Sequence, residues 1–360
     1  MKKLFSILCV FTATLMLGGC NPVERPEPSG GNTLFEKGVY VLCEGGYMMG
    51  NASLWFYEPE HQTLLPDIFS AANDASLGDT GQSIAILGEK MFIVMNGSKV
   101  VYVVDSHTCE YIGQIAGLTS PRYIAFSQDG TKGYLSQMYT NRITVFNPET
   151  LQVSGEIVLE GVADVEQMAV CGNNLFAAAW SNGHKVAVID TTTNTQIKTI
   201  EVGVQPYSIA LDNTKTLWVV CDGGNEWSSL PEGVTMEAPS LWRINATTFQ
   251  AQKFHTFTAG SYFRSRLALD KEGATLYFIS DALWAMDVTS STFPTTPLMN
   301  VEGYGVYGMD ICPFSGDIYI ADAKDYVSNG VVYRYSRAGE LLDEFEVGLL
   351  PSKFAFVGEK

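Results

Sequence analysis

The side chains with which this chain could do metal or nucleophile chemistry are few and scattered. Its four histidines are His61, His107, His184 and His255. A histidine-based metal centre needs several of them to converge, and their spacing gives no such motif. No G-x-S-x-G, H-E-x-x-H, phosphate loop or dinucleotide fingerprint occurs. The 39 acids could supply a carboxylate pair for hydrolysis, yet no spacing marks a pair. Met48-Met49 reads as packing or a soft contact surface, not as a metal site. The chain therefore reads as non-catalytic, with no metal and no intrinsic cofactor. What it does concentrate is contact chemistry, rings beside amides and hydroxyls. These groups fall in Glu44-Gly45-Gly46-Tyr47-Met48-Met49-Gly50-Asn51, Met138-Tyr139-Thr140-Asn141 and Trp180-Ser181-Asn182-Gly183-His184. They recur in the long segment from Asp222 to Ser240 with Trp227, and from Asp322 to Gly330 with Tyr326. Tyr262, Phe263, Arg264, Tyr304 and Tyr307 add to them. From these, Tyr47, Tyr139, Trp180, Trp227, Phe263 and Tyr307 are the expected contact surfaces for a ligand. Asn51, Gln82, Arg122, Asn141 and Arg264 are the expected polar contacts.

The elements that must hold these groups repeat. Apolar triplets stand at Ile84-Ala85-Ile86, Ile124-Ala125-Phe126, Met168-Ala169-Val170, Ile209-Ala210-Leu211, Leu267-Ala268-Leu269, Met309-Asp310-Ile311 and Phe354-Ala355-Phe356. Their first residues are 40, 44, 41, 58, 42 and 45 apart, a blade-sized period in strand-forming text. Each unit reads as four strands joined by hairpins. The last turn of a unit recurs as Asp105 to Thr108, Asn147 to Thr150, Asp190 to Thr193, Asn245 to Thr248 and Asp287 to Ser290. Asp and Asn there bond the backbone two residues on, so these acids read as turn formers. The first unit has Val39 to Glu44, Ser53 to Tyr57 and Gln62 to Phe69 but no inner strand. The C-terminal Pro351 to Phe356 is an inner strand without a blade. The expected fold is therefore all-β: a seven-bladed β-propeller with four-stranded blades, its ring closed when the C-terminal strand completes the first blade. Loops leading into inner strands and loops between second and third strands then share one face. They vary in length here, as binding loops on a rigid scaffold do. Two residues before the triplets stand Gln82, Arg122, Glu166, Tyr207, Ser265, Tyr307 and Ser352, a mixed polar and aromatic set suited to an asymmetric ligand.

Lys2 and Lys3 precede an apolar run from Leu4 to Leu17 and then Gly18-Gly19-Cys20. This reads as a secretory signal, too short to span a bilayer. Leu17-Gly18-Gly19-Cys20 resembles a bacterial lipobox, which implies cleavage before Cys20 and a lipid on its thiol. The domains expected are thus 1–19 as signal, 20–32 as lipidated cysteine and flexible tether, and 33–360 as the propeller. Losing residues 1–19 removes two lysines and no acid, moving the formal charge from −17 to −19. That balance argues against nucleic acid, whose phosphates need Lys and Arg. Five cysteines remain: Cys43, Cys109, Cys171, Cys221 and Cys312. Without a C-x-x-C they read as small buried hydrophobes, with one disulfide left open.

The stretch Leu42-Cys43-Glu44-Gly45-Gly46-Tyr47-Met48-Met49-Gly50-Asn51-Ala52-Ser53-Leu54 resembles the N-E-G-x-x-x-x-x-N-x-S-L opening of YncE-like, DUF5074-type propeller lipoproteins of Gram-negative bacteria. Cys43 stands where that family usually has Asn. Leu77-Gly78-Asp79-Thr80-Gly81-Gln82-Ser83-Ile84 and Phe92 to Val100 are similar too. The family includes surface lipoproteins that bind cobalamin (vitamin B12) and cap a TonB-dependent outer-membrane transporter. The resemblance implies corrinoid capture for such a transporter, from an outer-membrane lipid anchor exposed at the cell surface or, alternatively, facing the periplasm. Two other readings compete: a glycan- or protein-binding scaffold, and a metal-dependent propeller lactonase or lyase.

Overall fold

The computed structural model describes residues 35–358 other than 182, 225–229, 262 and 264. The signal, Cys20, the tether, Trp227, Tyr262 and Arg264 lie outside the described residues. Seven four-stranded antiparallel sheets form the blades of a propeller. The inner strands of blades 2 to 7 are Gly81–Leu87, Pro121–Phe126, Val165–Cys171, Pro206–Leu211, Ala268–Leu269 and Val306–Ile311. Blade 1 takes its inner strand from the other end of the chain. Pro351–Val357 pairs antiparallel with Gly38–Cys43, and Ser53–Glu58 and Thr63–Leu65 follow outward.

Strands buried on both faces explain the continuous apolar runs in the sequence. Successive side chains of a strand point to opposite faces. In blade 1, Tyr40 and Leu42 face blade 2 and pack with Met91, Ile93 and Met95. Val39, Val41 and Cys43 face blade 7 and pack with Tyr319, Ala321 and Val332. The same division continues around the ring, giving seven apolar clusters among the described residues, one in each gap between blades. Each buried Val, Leu, Ile or Phe contributes about 1.5–3 kcal/mol, so the gaps carry the stability and the loop face is free to vary.

The repeated Asx turns are as local as expected. Asp105 Oδ1 accepts the N–H groups of His107 and Thr108 at 2.8 and 2.9 Å, and Asn147 Oδ1 those of Glu149 and Thr150 at 2.8 Å each. One element differs from expectation. The third strand of blade 1 stops at Leu65, and a short helix, Ile68–Asn73, replaces its continuation. Pro66 has no N–H for the ladder, and Asp67 turns the chain with a φ of 39°. Ile68 and Phe69 still bury into the gap between blades 1 and 2. All five cysteines in the described region are free thiols, and burial pushes Cys43 and Cys109 up to about 12.

Candidate functional site

Six of the seven residues that stand two before the triplets, all but Ser265, lie at slips in strand register. Between inner and second strands the pairing jumps from Gly81 to Ser83, Pro121 to Ile124, Val165 to Met168, Pro206 to Ser208 and Val306 to Gly308. In blade 1, Pro351 and Lys353 have ladder partners and Ser352 is skipped. Six of seven blades thus carry a bulge at the same height. A bulge leaves its extra residue unpaired and re-aims side chains. Repeated around the ring, it turns polar groups from strand faces into the central channel. Gly308 carries no side chain here because a Cβ would come within 2.2 Å of the Ser352 carbonyl oxygen.

The result is a funnel of about 450 Å³ on the loop-rich face, walled by residues from blades 1, 2, 3, 4, 5, 6 and 7. Behind its lining Glu166, wholly buried, is clamped by two lining arginines from other blades. Arg122 Nε donates to Oε2 at 2.6 Å and Nη2 to Oε1 at 2.8 Å. Arg266 Nη2 donates to Oε1 at 2.6 Å. Burial alone would raise the Glu166 carboxyl; the two guanidiniums overcome it and hold it below the usual range. Arg122 Nη1 also reaches Gln82 Oε1 at 2.5 Å. Arg266 donates to the Tyr207 carbonyl, and its guanidinium carbon lies 3.7 Å from the centre of the Tyr207 ring and 5.4 Å from that of Tyr123. Across the funnel, Tyr307 Oη donates to Glu44 Oε2 at 2.9 Å, and Lys353 Nζ lies 3.8 Å from Glu44 Oε1. Burial, reinforced by the nearby arginines, pulls the Lys353 amine down against the opposing effect of Glu44.

The profile of a domain of unknown function, DUF5074, matches residues 37–356. The chain belongs to this family. Among solved structures, the DUF5074 propeller is similar to a quinonprotein alcohol dehydrogenase-like protein from Bacteroides thetaiotaomicron, with a TM-score of 0.68 and 15% identity over 90% of this chain and 79% of that one. Kuenenia stuttgartiensis hydrazine synthase gives 0.56 and 15% over 76% and 88%. Virginiamycin B lyase from Staphylococcus aureus gives 0.58 and 13% over 78% and 89%. At these identities the likeness is one of fold. No curated protein sequence matches.

Within the DUF5074 propeller the expected contact residues part company. Gln82, Arg122, Phe263 and Tyr307 line the funnel. Phe263 does so with one edge, because its ring packs against Phe257 and Phe278. Trp180 stands behind the funnel. Its indole N–H donates to Asp222 at 3.0 Å, and its ring lies 6.3 Å from Tyr207 and 6.0 Å from the Arg122 guanidinium. Tyr47 and Tyr139 sit on the loops of the same face, 75% and 78% exposed. Two amides are spent on their own loops: Asn51 Oδ1 accepts from Gly46 N and Asn141 Nδ2 donates to the Leu159 carbonyl. Trp227 and Arg264 are outside the described residues. The funnel further depends on Glu44, Tyr123, Glu166, Tyr207, Arg266, Asp310 and Lys353. Tyr123, Arg266 and Lys353 share one sequence signal, the position immediately before a triplet.

Among the described residues no three His, Cys, Asp or Glu converge to hold a metal ion. Asp310, in the funnel wall, accepts the N–H of Ile311 at 2.8 Å and is pushed up to about 6 by burial. A carboxyl raised in the folded state destabilises the fold once pH rises through that value, because ionisation is easier in the unfolded chain. Allowing for water in the funnel, Asp310→Asn is expected to add about 1–2 kcal/mol near pH 8 and nothing near pH 4. Thermal melts of both proteins at the two pH values check this; an equal gain at both would discard the ionisation cost.

Proposed function

We propose that this chain is a non-catalytic capture protein whose ligand lies on the loop-rich face with one arm in the funnel. The observation that carries the reading is a rigid polar funnel whose strongest charges are already satisfied. Glu166 is committed to two arginines and Glu44 to Tyr307 and Lys353. Neither carboxylate is free to act as a base. Exposed apolar side chains, Tyr47, Met48, Met49, Tyr139, Tyr326 and Val327, stand on the loops of the same face. A preformed site of this kind limits the ordering cost of binding.

The ligand class proposed is a corrinoid, on the resemblance of Leu42 to Leu54 to cobalamin-binding lipoproteins. A corrinoid is larger than the funnel, so its ring would cover the mouth, with apolar edges on the exposed side chains and amides toward the polar wall. Delivery to a TonB-dependent transporter from a lipid anchor on Cys20, at the cell surface, belongs to the same proposal. Calorimetric titration of Gly31–Lys360 with cyanocobalamin tests it. One-to-one binding is expected, weakened about tenfold, or ~1.4 kcal/mol, by combined Tyr47→Ala and Tyr139→Ala. These residues are exposed, so their loss spares the fold. No heat and no visible spectral change at high ligand would reject the corrinoid.

A further inference from the structure

Several hydrogen-bonding groups in the funnel are left over by its internal network. Tyr123 Oη and Ser352 Oγ are buried and make no hydrogen bond among the described residues, and Ser352 is only 3% exposed. Lys353 Nζ makes no hydrogen bond among the described residues; its acidic neighbour, Glu44 Oε1, is 3.8 Å away. Arg122 uses three of its five N–H groups on Gln82 and Glu166. A buried polar group without a partner destabilises a fold, so two such hydroxyls in one funnel, beside an amine paired with Glu44 only at 3.8 Å, point to a ligand group that completes them.

That group must accept and must offer oxygens in several directions. The leftover donors come from the inner strand of blade 3 (Arg122, Tyr123) and from the closing strand of blade 1 (Ser352, Lys353), so they approach from separate walls. A carboxylate presents two coplanar oxygens; a phosphate presents a tetrahedron of them. Charge agrees. Burial pushes Asp310 up to about 6, so below that pH Arg122, Arg266 and Lys353 exceed Glu166 and Glu44 by one charge, and one further negative charge is tolerated there. We propose that the floor of the funnel is a phosphate subsite, built by Lys353, Ser352, Tyr123 and Arg122, which takes a phosphoester of the captured ligand. This deepens the capture reading and rests on the funnel being the ligand site.

Titration of the full-length protein into dimethyl phosphate, followed by ³¹P line broadening, tests the subsite without any corrinoid. Saturable one-to-one broadening is expected. Lys353→Met, which keeps the packing of the side chain, is expected to weaken it at least tenfold. Ser352→Ala is expected to weaken it several-fold without lowering the melting temperature, since it removes an unpartnered buried hydroxyl. That pairing, weaker binding with undiminished stability, is not produced by a merely structural role. Absence of saturable broadening, equal affinity in both variants, or acetate displacing the diester at equal concentration would each overturn the proposal. Cyanocobalamin binding with no response to dimethyl phosphate would leave capture standing and remove the subsite. The reverse result would keep the subsite and remove the corrinoid.

Discussion

Deleting Pro351–Lys360 is expected to abolish cooperative folding of the whole propeller, not to fray one end of it. The deleted strand pairs with Gly38–Cys43 along its length, and among the described residues it is the one pairing within a sheet that joins the two ends of the chain. Phe354, Ala355 and Val357 are each less than 10% exposed, and they lie in the gaps on both sides of blade 1. Losing two or three large buried side chains costs on the order of 5 kcal/mol, before the unpaired ladder of Gly38–Cys43 is counted. That is comparable to the whole stability of a typical domain. The gaps between blades 7 and 1 and between 1 and 2 then open together, and an uncovered strand edge invites aggregation. Circular dichroism melts check this directly. A truncated chain that melts as the full chain does would sink the closure. Adding a peptide of residues 349–358 is expected to restore a cooperative transition, because strand addition to an exposed edge supplies the missing ladder.

The closure was legible in the sequence because it is an accounting of strands: the first unit lacks an inner strand and the last triplet lacks a blade. The blades were legible for a similar reason. Packing each sheet between two others demands apolar side chains on both faces, and the demand repeats every forty-odd residues. The funnel was only half legible. Gln82, Arg122 and Tyr307 stand out by position, but Tyr123, Arg266 and Lys353 are one residue further on, where a regular strand would turn them to the opposite face. For Tyr123 and Lys353 the bulges of blades 3 and 1 remove that alternation, and Arg266 precedes a two-residue inner strand, Ala268–Leu269, too short to impose it; nothing in the local residue types announces either. The place of Trp180 was hidden for a different reason. Its ring and its N–H are satisfied by Tyr207 and by Asp222, 42 residues away, a contact that exists only after two blades have packed. Asn51 and Asn141 are amides in loops, and whether such an amide serves a ligand or its own turn depends on backbone directions that composition does not carry.

Glu166→Ala is expected to be the most damaging single substitution in the channel, at about 3–5 kcal/mol. The wild-type side chain is wholly buried, and the guanidiniums it bridges are only 14% and 16% exposed. Removing the carboxylate leaves two like charges facing each other with no anion between them. Were this an exposed ion pair, about 1 kcal/mol or less would be expected, so the size of the effect itself discriminates. For a domain of this size the loss corresponds to a fall in melting temperature of roughly 4–7 °C. Glu166→Gln keeps the shape and one acceptor and is expected to fall between. The pH dependence has a definite sign. A carboxyl depressed in the folded state contributes stability above its unfolded value, and that contribution disappears as pH falls through the folded value. The gap between wild type and Glu166→Gln should therefore be full at neutral pH and close on acidification below the usual carboxylate range. A double variant, Glu166→Ala with Arg266→Met, should lose less than the sum of its parts, because the arginine left uncompensated in the first is absent in the second. Since Arg122, Glu166 and Arg266 come from blades 3, 4 and 6, the same bonds that neutralise the channel tie those blades together. Strict additivity in that cycle, or a melt unchanged by Glu166→Ala, would mean that the three charges are neighbours without being coupled, and the preformed funnel on which ligand capture is argued would lose its physical basis.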